Sequence, residues 1–133
     1  MRYLCLIYLD EKQFGTVPEA EVNALNARHL EFNEQLLKSG HFVEAEALGP
    51  ASETSCVRVR EKKVTLTDGP FMETKEVVAG FYLIEARDLN EAINIAARLP
   101  SAPMGAIEVR PCRNLIVDGV ARNASSKSGV RAL

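Results

Sequence analysis

Apolar runs separated by charged or turn-forming segments divide the chain into alternating strands and helices. The first run, residues 3–9, is almost entirely apolar and is followed at once by Asp10-Glu11-Lys12. Its length and its aromatic and β-branched content predict a strand that is buried on both faces, in the middle of a sheet. Residues 78–85 have the same character and predict a second central strand.

A long helix is predicted between these strands, running to residue 38 or 39 with Gly40 as its stop. Thr16 and Glu19 have the spacing of a capping box, and Pro18 is acceptable in a first helical turn. The positions that recur every three or four residues form one stripe: Val22, Leu25, His29, Phe32 and Leu36. This stripe turns a histidine toward the sheet.

The remaining elements are shorter. Residues 41–48 predict a strand that ends at Gly49-Pro50, and residues 106–110 predict the last strand. Residues 55–60 and 64–67 predict a hairpin around Glu61-Lys62, with its buried face marked by Cys56 or Val57 and by Val59. Asp88 and Glu91 cap a second helix over residues 89–98, whose predicted apolar stripe is Leu89, Ala92, Ile93 and Ala96.

This order of elements predicts an α+β, ferredoxin-like fold: an antiparallel sheet with two helices on one face. Two helices cover only one face, yet the central strands are apolar toward both. We therefore expect the second face to pack on another copy of the chain in a two-fold homodimer. Residues 1–112 form the predicted domain, and residues 113–133 a C-terminal extension whose Leu115-Ile116-Val117 could dock on the partner subunit. Residues 122–129 are rich in Ser, Asn and Lys, which predicts a flexible terminus.

Composition narrows the partners. The chain has 133 residues, 47% of them apolar, and a net charge of −2, which is ordinary for one globular domain and gives no basic surface for nucleic acid or anionic membranes. The N-terminal apolar run is too short to span a membrane and lacks a signal peptide's cleavage site, so a cytoplasmic location is expected. Three separated cysteines, expected in the core, and two histidines predict no metal site.

The densest local motif is the segment Thr67 to Glu76. Asp68 can accept hydrogen bonds from the following amides, Gly69 permits backbone angles closed to other residues, and Pro70 fixes the direction of the chain. A shaped loop follows from that chemistry. The sequence contains no glycine-rich phosphate loop and no activated nucleophile, so no cofactor is expected.

Several motifs occur together in order. They are Asp68-Gly69-Pro70-Phe71, Glu73-Thr74-Lys75-Glu76, Gly80-Phe81-Tyr82-Leu83-Ile84 and Ile107-Glu108-Val109-Arg110-Pro111. With them the chain resembles the DGPF-motif branch of the YCII-related proteins over residues 1–112. Arg28-His29-Leu30, followed by Gly40 and by Gly49-Pro50, resembles the broader YCII pattern.

The resemblance implies a dimeric ferredoxin-like α+β barrel, similar to muconolactone isomerase, and an active site that pairs His29 with an acid. Some relatives are dehydrochlorinases of substituted aromatic diols, and DGPF proteins are often associated with extracytoplasmic-function sigma factors. Many YCII proteins have Asp-Pro-Tyr after the second helix, where this chain has Leu99-Pro100-Ser101. Asp68 or Glu53 could replace the missing acid, and the sequence leaves both open.

These residues suggest an interpretation. An inward His29, whose unperturbed pKa would be about 6.5, can exchange protons near neutral pH, with Asp68 as its orienting partner. Tyr8, Arg58 and Tyr82 are candidate substrate-binding residues. The function would be that of a cofactor-free lyase or isomerase of small polar or aromatic substrates.

Purely structural roles stay open for the same residues. His29 could fill a polar gap in the core, Asp68 could cap its own loop, and the tyrosines could be packing residues. The alternative function is a non-enzymatic ligand-binding or regulatory module, associated with a sigma factor.

Overall fold

A computed structural model describes residues 1–122 of the chain. Its elements are, in chain order, β1 (Arg2–Leu9), α1 (Glu11–Phe14), α2 (Glu19–Ser39), β2 (Phe42–Ala47), β3 (Ser55–Arg60), β4 (Lys63–Asp68), β5 (Val77–Glu85), α3 (Leu89–Ala97), β6 (Ala106–Pro111), β7 (Leu115–Val117) and β8 (Val120–Arg122). Two short 3₁₀ turns, Ala51–Glu53 and Ala102–Met104, follow β2 and α3.

The main sheet has four strands in the order β2-β5-β1-β6, and every neighbouring pair is antiparallel. The two strands predicted to be central, β1 and β5, are central. The α+β class and the antiparallel sheet are thereby confirmed, and the strand order is consistent with a ferredoxin-like fold. In chain order the hairpin β3–β4 comes between β2 and β5, and it forms a two-stranded sheet of its own.

The core lies between this sheet and the helices α2 and α3. Alternate residues of β1, namely Tyr3, Cys5, Ile7 and Leu9, are buried. Helix α2 contributes Leu25, Phe32 and Leu36, and α3 contributes Ala92, Ile95 and Ala96. The intervening residues of β1 are only half-buried, so within one chain the predicted burial of both faces holds for the helix side alone.

The start of α2 differs from the predicted capping box. The helix begins at Glu19 after Pro18, without a side-chain cap, and the hydroxyl of Thr16 donates to the carbonyl of Gln13 at 2.6 Å. The Thr16 hydroxyl is thus bonded to the short helix α1, which Asp10 caps at its other end. The predicted stop is confirmed: Gly40 has φ +81° and donates to the last carbonyls of α2.

The buried stripe of α3 is rotated from the predicted one. Leu89 and Ile93 are 47% and 46% exposed, whereas Ile95 and the following Leu99 are each 2% exposed. Both sets have helical spacing, so periodicity could not choose between them. Packing decides which stripe is buried, and the residues in the core cluster are Ala92, Ile95, Ala96 and Leu99.

The hairpin β3–β4 has the predicted turn, with positive φ at Glu61 and Lys62, but not the predicted buried face. Val57 and Val59 are 62% and 55% exposed because the hairpin stands away from the core. The same displacement leaves Cys56 only half-buried. Of the three cysteines, Cys5 alone lies in the core, and Cys112 is exposed after β6.

After β6, the strands β7 and β8 pair as a small hairpin, so the predicted extension has structure as far as Arg122. The rest of that extension, residues 123–133, lies outside the described residues, as does most of the segment predicted to be a flexible terminus, residues 122–129. Over residues 1–122, no helix is both long and apolar enough to cross a bilayer.

Candidate functional site

A cleft with a volume of about 670 Å³ opens between α2 and the sheet. It exists because β2 and β5 present small residues there: Ala45, Ala47, Ala79 and Gly80. A side chain at Gly80 would place its Cβ 2.9 Å from the carbonyl oxygen of Glu46, so this position admits only glycine without a shift of the backbone. Larger residues at these positions would fill the space between the helix and the sheet, which is left open here.

The helix side of the cleft combines apolar and polar residues. Asn26, His29 and Asn33 are spaced by three and four residues, which places them on one face of α2. Leu25 comes from the same helix, while Ile7 and Leu9 reach the cleft from β1. A mostly apolar wall with a few convergent polar groups is typical of small-molecule sites.

The polar groups include a hydrogen-bonded chain of three side chains. Nδ1 of His29 lies 2.9 Å from the hydroxyl oxygen of Tyr82, and that hydroxyl donates to Oδ1 of Asn33. A phenol has one hydrogen and Oδ1 can only accept, so Tyr82 must accept from Nδ1–H of His29. This arrangement leaves Nε2 of His29 as the unprotonated, basic nitrogen.

Burial keeps both His29 and Tyr82 neutral. Desolvation, and secondarily the positive charge of Arg28, lowers the pKa of His29 below its ordinary 6.5. Desolvation raises the pKa of Tyr82 to about 12. The rings of Phe32 and Phe42 meet that of Tyr82 edge-on at centroid distances of 6.2 and 6.4 Å, which fixes its position. At neutral pH the site therefore holds an imidazole base beside a protonated phenol.

Comparison with known proteins identifies the family. The model of the YCII-related domain matches residues 1–116. The chain belongs to the YCII-related domain family. An uncharacterized protein of Rhizobium meliloti (strain 1021) is 31% identical over 113 residues, which is 84% of this chain and 91% of that protein. Neither match carries a specific activity over to this chain.

In this YCII-related chain the acid expected beside His29 lies elsewhere. Asp68 is exposed at the end of β4, and Glu53 borders a different hollow, so the structure brings neither into the cleft. The carboxylates on the cleft wall are Glu11 and Glu46, and Glu11 accepts the amide hydrogen of Ala51 at 3.0 Å. Within residues 1–122, the group hydrogen-bonded to His29 is the phenol of Tyr82.

The three predicted substrate-binding residues are not brought together. Tyr82 lines the cleft, but Tyr8 lies on the opposite face of the sheet, in a hollow of about 710 Å³ beside the loop that follows β4. Arg58 is on the hairpin, where its guanidinium lies 4.9 Å from the ring centre of Phe71. The motif that resembles the DGPF branch therefore shapes the second hollow, not the surroundings of His29.

Three cleft residues were missed by sequence reasoning. Asn26 and Asn33 lie three residues before and four after His29, so helical spacing alone could have found them. Ser101 gave no local signal, because the turn after α3 brings it to the cleft through tertiary packing. Its hydroxyl is buried and has no hydrogen-bond partner among the described residues, which ordinarily costs about 1–3 kcal/mol.

A metal centre has no basis in the part of the chain that the structure covers. No group of three or more His, Cys, Asp or Glu side chains gathers there in a way that could hold an ion. The cleft itself offers one imidazole and two glutamates, and one of those glutamates already bonds the backbone.

The lowered pKa of His29 predicts a pH-dependent stability. The unfolded chain, with a His29 pKa near 6.5, binds more protons than the folded chain between that value and the lower folded pKa. Folding stability should therefore fall as the pH drops through this window. We expect His29→Gln to lose less unfolding free energy than the wild type between pH 7.5 and pH 5, measured by urea denaturation.

Arg28→Gln serves as the second variant in that experiment. Removing the neighbouring positive charge should raise the folded pKa of His29 and make the loss of unfolding free energy smaller than in the wild type. Some loss should remain, because burial still lowers that pKa. A His29→Gln protein whose stability falls as steeply as the wild type would contradict the assignment.

Proposed function

We propose that the cleft binds a small, largely apolar molecule and that His29 transfers a proton to or from it without a cofactor. The activity would be that of a lyase or isomerase. The observation that carries the proposal is the chain from His29 through Tyr82 to Asn33, which orients a neutral imidazole on the wall of a cleft. A neutral imidazole with one free nitrogen can accept a proton from a carbon or oxygen acid.

The phenol has a defined part in this proposal. When Nε2 of His29 takes a proton, the ring becomes positively charged, and Nδ1–H stays bonded to the oxygen of Tyr82. A phenol oxygen stabilises that charge less than a carboxylate would, so the imidazolium readily returns its proton. Such a residue suits an isomerisation, in which a proton is removed at one atom and returned at another.

A second candidate function is supported by a different observation. Neither Asp68 nor Glu53 reaches the cleft, so the carboxylate that the resemblance implied for catalysis is not bonded to His29. This favours a non-enzymatic ligand-binding or regulatory module. Membership in the DGPF branch and association with a sigma factor remain predictions that rest on Asp68-Gly69-Pro70-Phe71 and the motifs around it.

We further propose that two copies of the chain pack through the open face of the main sheet. That face presents half-buried apolar residues from the two central strands: Leu4, Leu6, Tyr8, Phe81 and Leu83. Leu6 lies at its middle, paired in register with Phe81 on one side and Glu108 on the other. A stripe of this kind gains most when another apolar surface covers it.

Proton transfer can be tested with phenylacetone, a neutral aromatic ketone whose benzylic hydrogens are acidic. The wild type should accelerate their exchange with D₂O over buffer, as followed by proton NMR. His29→Gln should lower that acceleration by about 10²–10⁴-fold, because the general base is gone. The control is His41→Gln, the same change at the histidine that bonds Ser39 and Glu91 outside the cleft, and it should retain the rate.

The outcomes separate the two functions. A wild type that binds phenylacetone, shown by a rise in melting temperature, yet does not accelerate exchange would contradict the catalytic proposal and favour the binding module. Equal rates in His29→Gln and the wild type would also contradict it, since the base would lie elsewhere.

The assembly is tested by sedimentation. The wild type should sediment at twice its 14.6 kDa chain mass, and Leu6→Glu should reduce it to one chain, because a buried charge would face apolar residues. Leu37→Glu is the matched control, since Leu37 is 59% exposed on α2, away from the open face. Monomeric wild type at micromolar concentration would overturn the dimer.

A further inference from the structure

Ser101 follows α3 and lies just before the turn Ala102–Met104, at the N-cap position of that turn. It is 2% exposed and borders the cleft. A serine at such a position commonly caps the turn with its hydroxyl, but here no side-chain cap is formed, and the amide of Met104 bonds the backbone carbonyl of Ser101 instead. The hydroxyl is therefore not used by the local structure.

The other polar groups of the cleft contrast with it. His29, Tyr82 and Asn33 are linked to one another by hydrogen bonds that leave only Nε2 of His29 free on the imidazole, and Glu11 accepts from a backbone amide. Ser101 Oγ is the one buried side-chain oxygen or nitrogen within residues 1–122 that has no partner. Buried hydroxyls are nearly always bonded. A partner that enters the cleft would complete this one once the Ser101 side chain rotates its almost fully buried oxygen toward the cleft.

The charges around the cleft limit what that partner can be. Within the described chain, its wall carries Glu11 and Glu46 and no lysine or arginine. A carboxylate or phosphate would meet like charges and find no cation. A bare ammonium group would lose its water among Ile7, Leu9 and Leu25. An uncharged hydroxyl or carbonyl compound meets neither penalty.

We propose that Ser101 is a ligand-binding residue whose hydroxyl bonds an oxygen of an uncharged, ring-sized molecule held in the cleft. This rests on the proposed function only in that the cleft is the binding site. The volume of about 670 Å³ accommodates such a molecule, and the rotatable hydroxyl can either donate or accept. Alcohols, ketones and lactones are the expected ligand class, and carboxylates are excluded.

The proposal predicts two separate effects of Ser101→Ala, one on stability and one on binding. In the free protein the change removes an unsatisfied hydroxyl, so the melting temperature should stay the same or rise. A serine with a structural role would give a lower melting temperature. In the complex the same change removes a hydrogen bond, so affinity should fall.

Four probes of nearly equal shape test the predicted loss of affinity: benzyl alcohol, toluene, benzoate and benzylammonium. Their dissociation constants come from titrations of backbone amide NMR signals at Ala45, Gly80 and Ser101. Benzyl alcohol should bind the wild type at least about tenfold more tightly than benzoate or benzylammonium. Ser101→Ala should weaken benzyl alcohol by roughly threefold to tenfold and leave toluene unchanged. Ser101→Cys, a near-isosteric change to a weak hydrogen-bonding group, should give the same loss.

The failures are distinguishable. If all four probes fail to shift cleft amides, the binding cleft is wrong, and both this inference and the proposed function are overturned. If benzyl alcohol and toluene bind the cleft but respond equally to Ser101→Ala and Ser101→Cys, Ser101 is not the anchor, and the proposed function is untouched. A Ser101→Ala protein with a lower melting temperature, or tighter binding of benzoate than of benzyl alcohol, overturns the inference as well.

Discussion

The hydroxyl of Tyr82 is the constraint on which the cleft depends. The residue lies on a central strand, 4% exposed, on the mostly apolar sheet face that packs against the helices. Its hydroxyl must be hydrogen-bonded there, and the side chains that reach it come from α2: His29 and Asn33. The small residues beneath the helix then leave space beside these groups instead of filling it. One buried phenol thus orients the imidazole and ties the helix to the sheet.

Much of the fold could be predicted from the sequence, because it depends on strong local signals. The continuous apolar run of residues 3–9 gave a central strand, and Gly40 gave the end of α2. The failures have local causes. Thr16 bonds the end of α1, a short helix that was not predicted, and α3 had two apolar stripes of equal spacing. Only packing on the sheet selects between such alternatives.

The candidate site was less predictable, for a physical reason. His29 and Tyr82 could be placed near the same helix–sheet interface, since helical and strand periodicity report direction. Their hydrogen bond could not, because it joins residues 53 positions apart. The most particular motif, Asp68 to Phe71, drew attention as a partner for His29, yet it lies beside the hollow on the other face. Ser101, which lacks any motif, enters the cleft wall only through the turn after α3.

The most direct test of this arrangement is the protonation state of the His29 ring, read from side-chain nitrogen NMR at pH 7. The hydrogen-bonded chain predicts a neutral ring with its hydrogen on Nδ1 and a free Nε2, and Tyr82→Phe should release the ring to a mixture of tautomers. A charged ring at pH 7, or a hydrogen fixed on Nε2, would contradict the role assigned to Tyr82 and remove the base from the cleft.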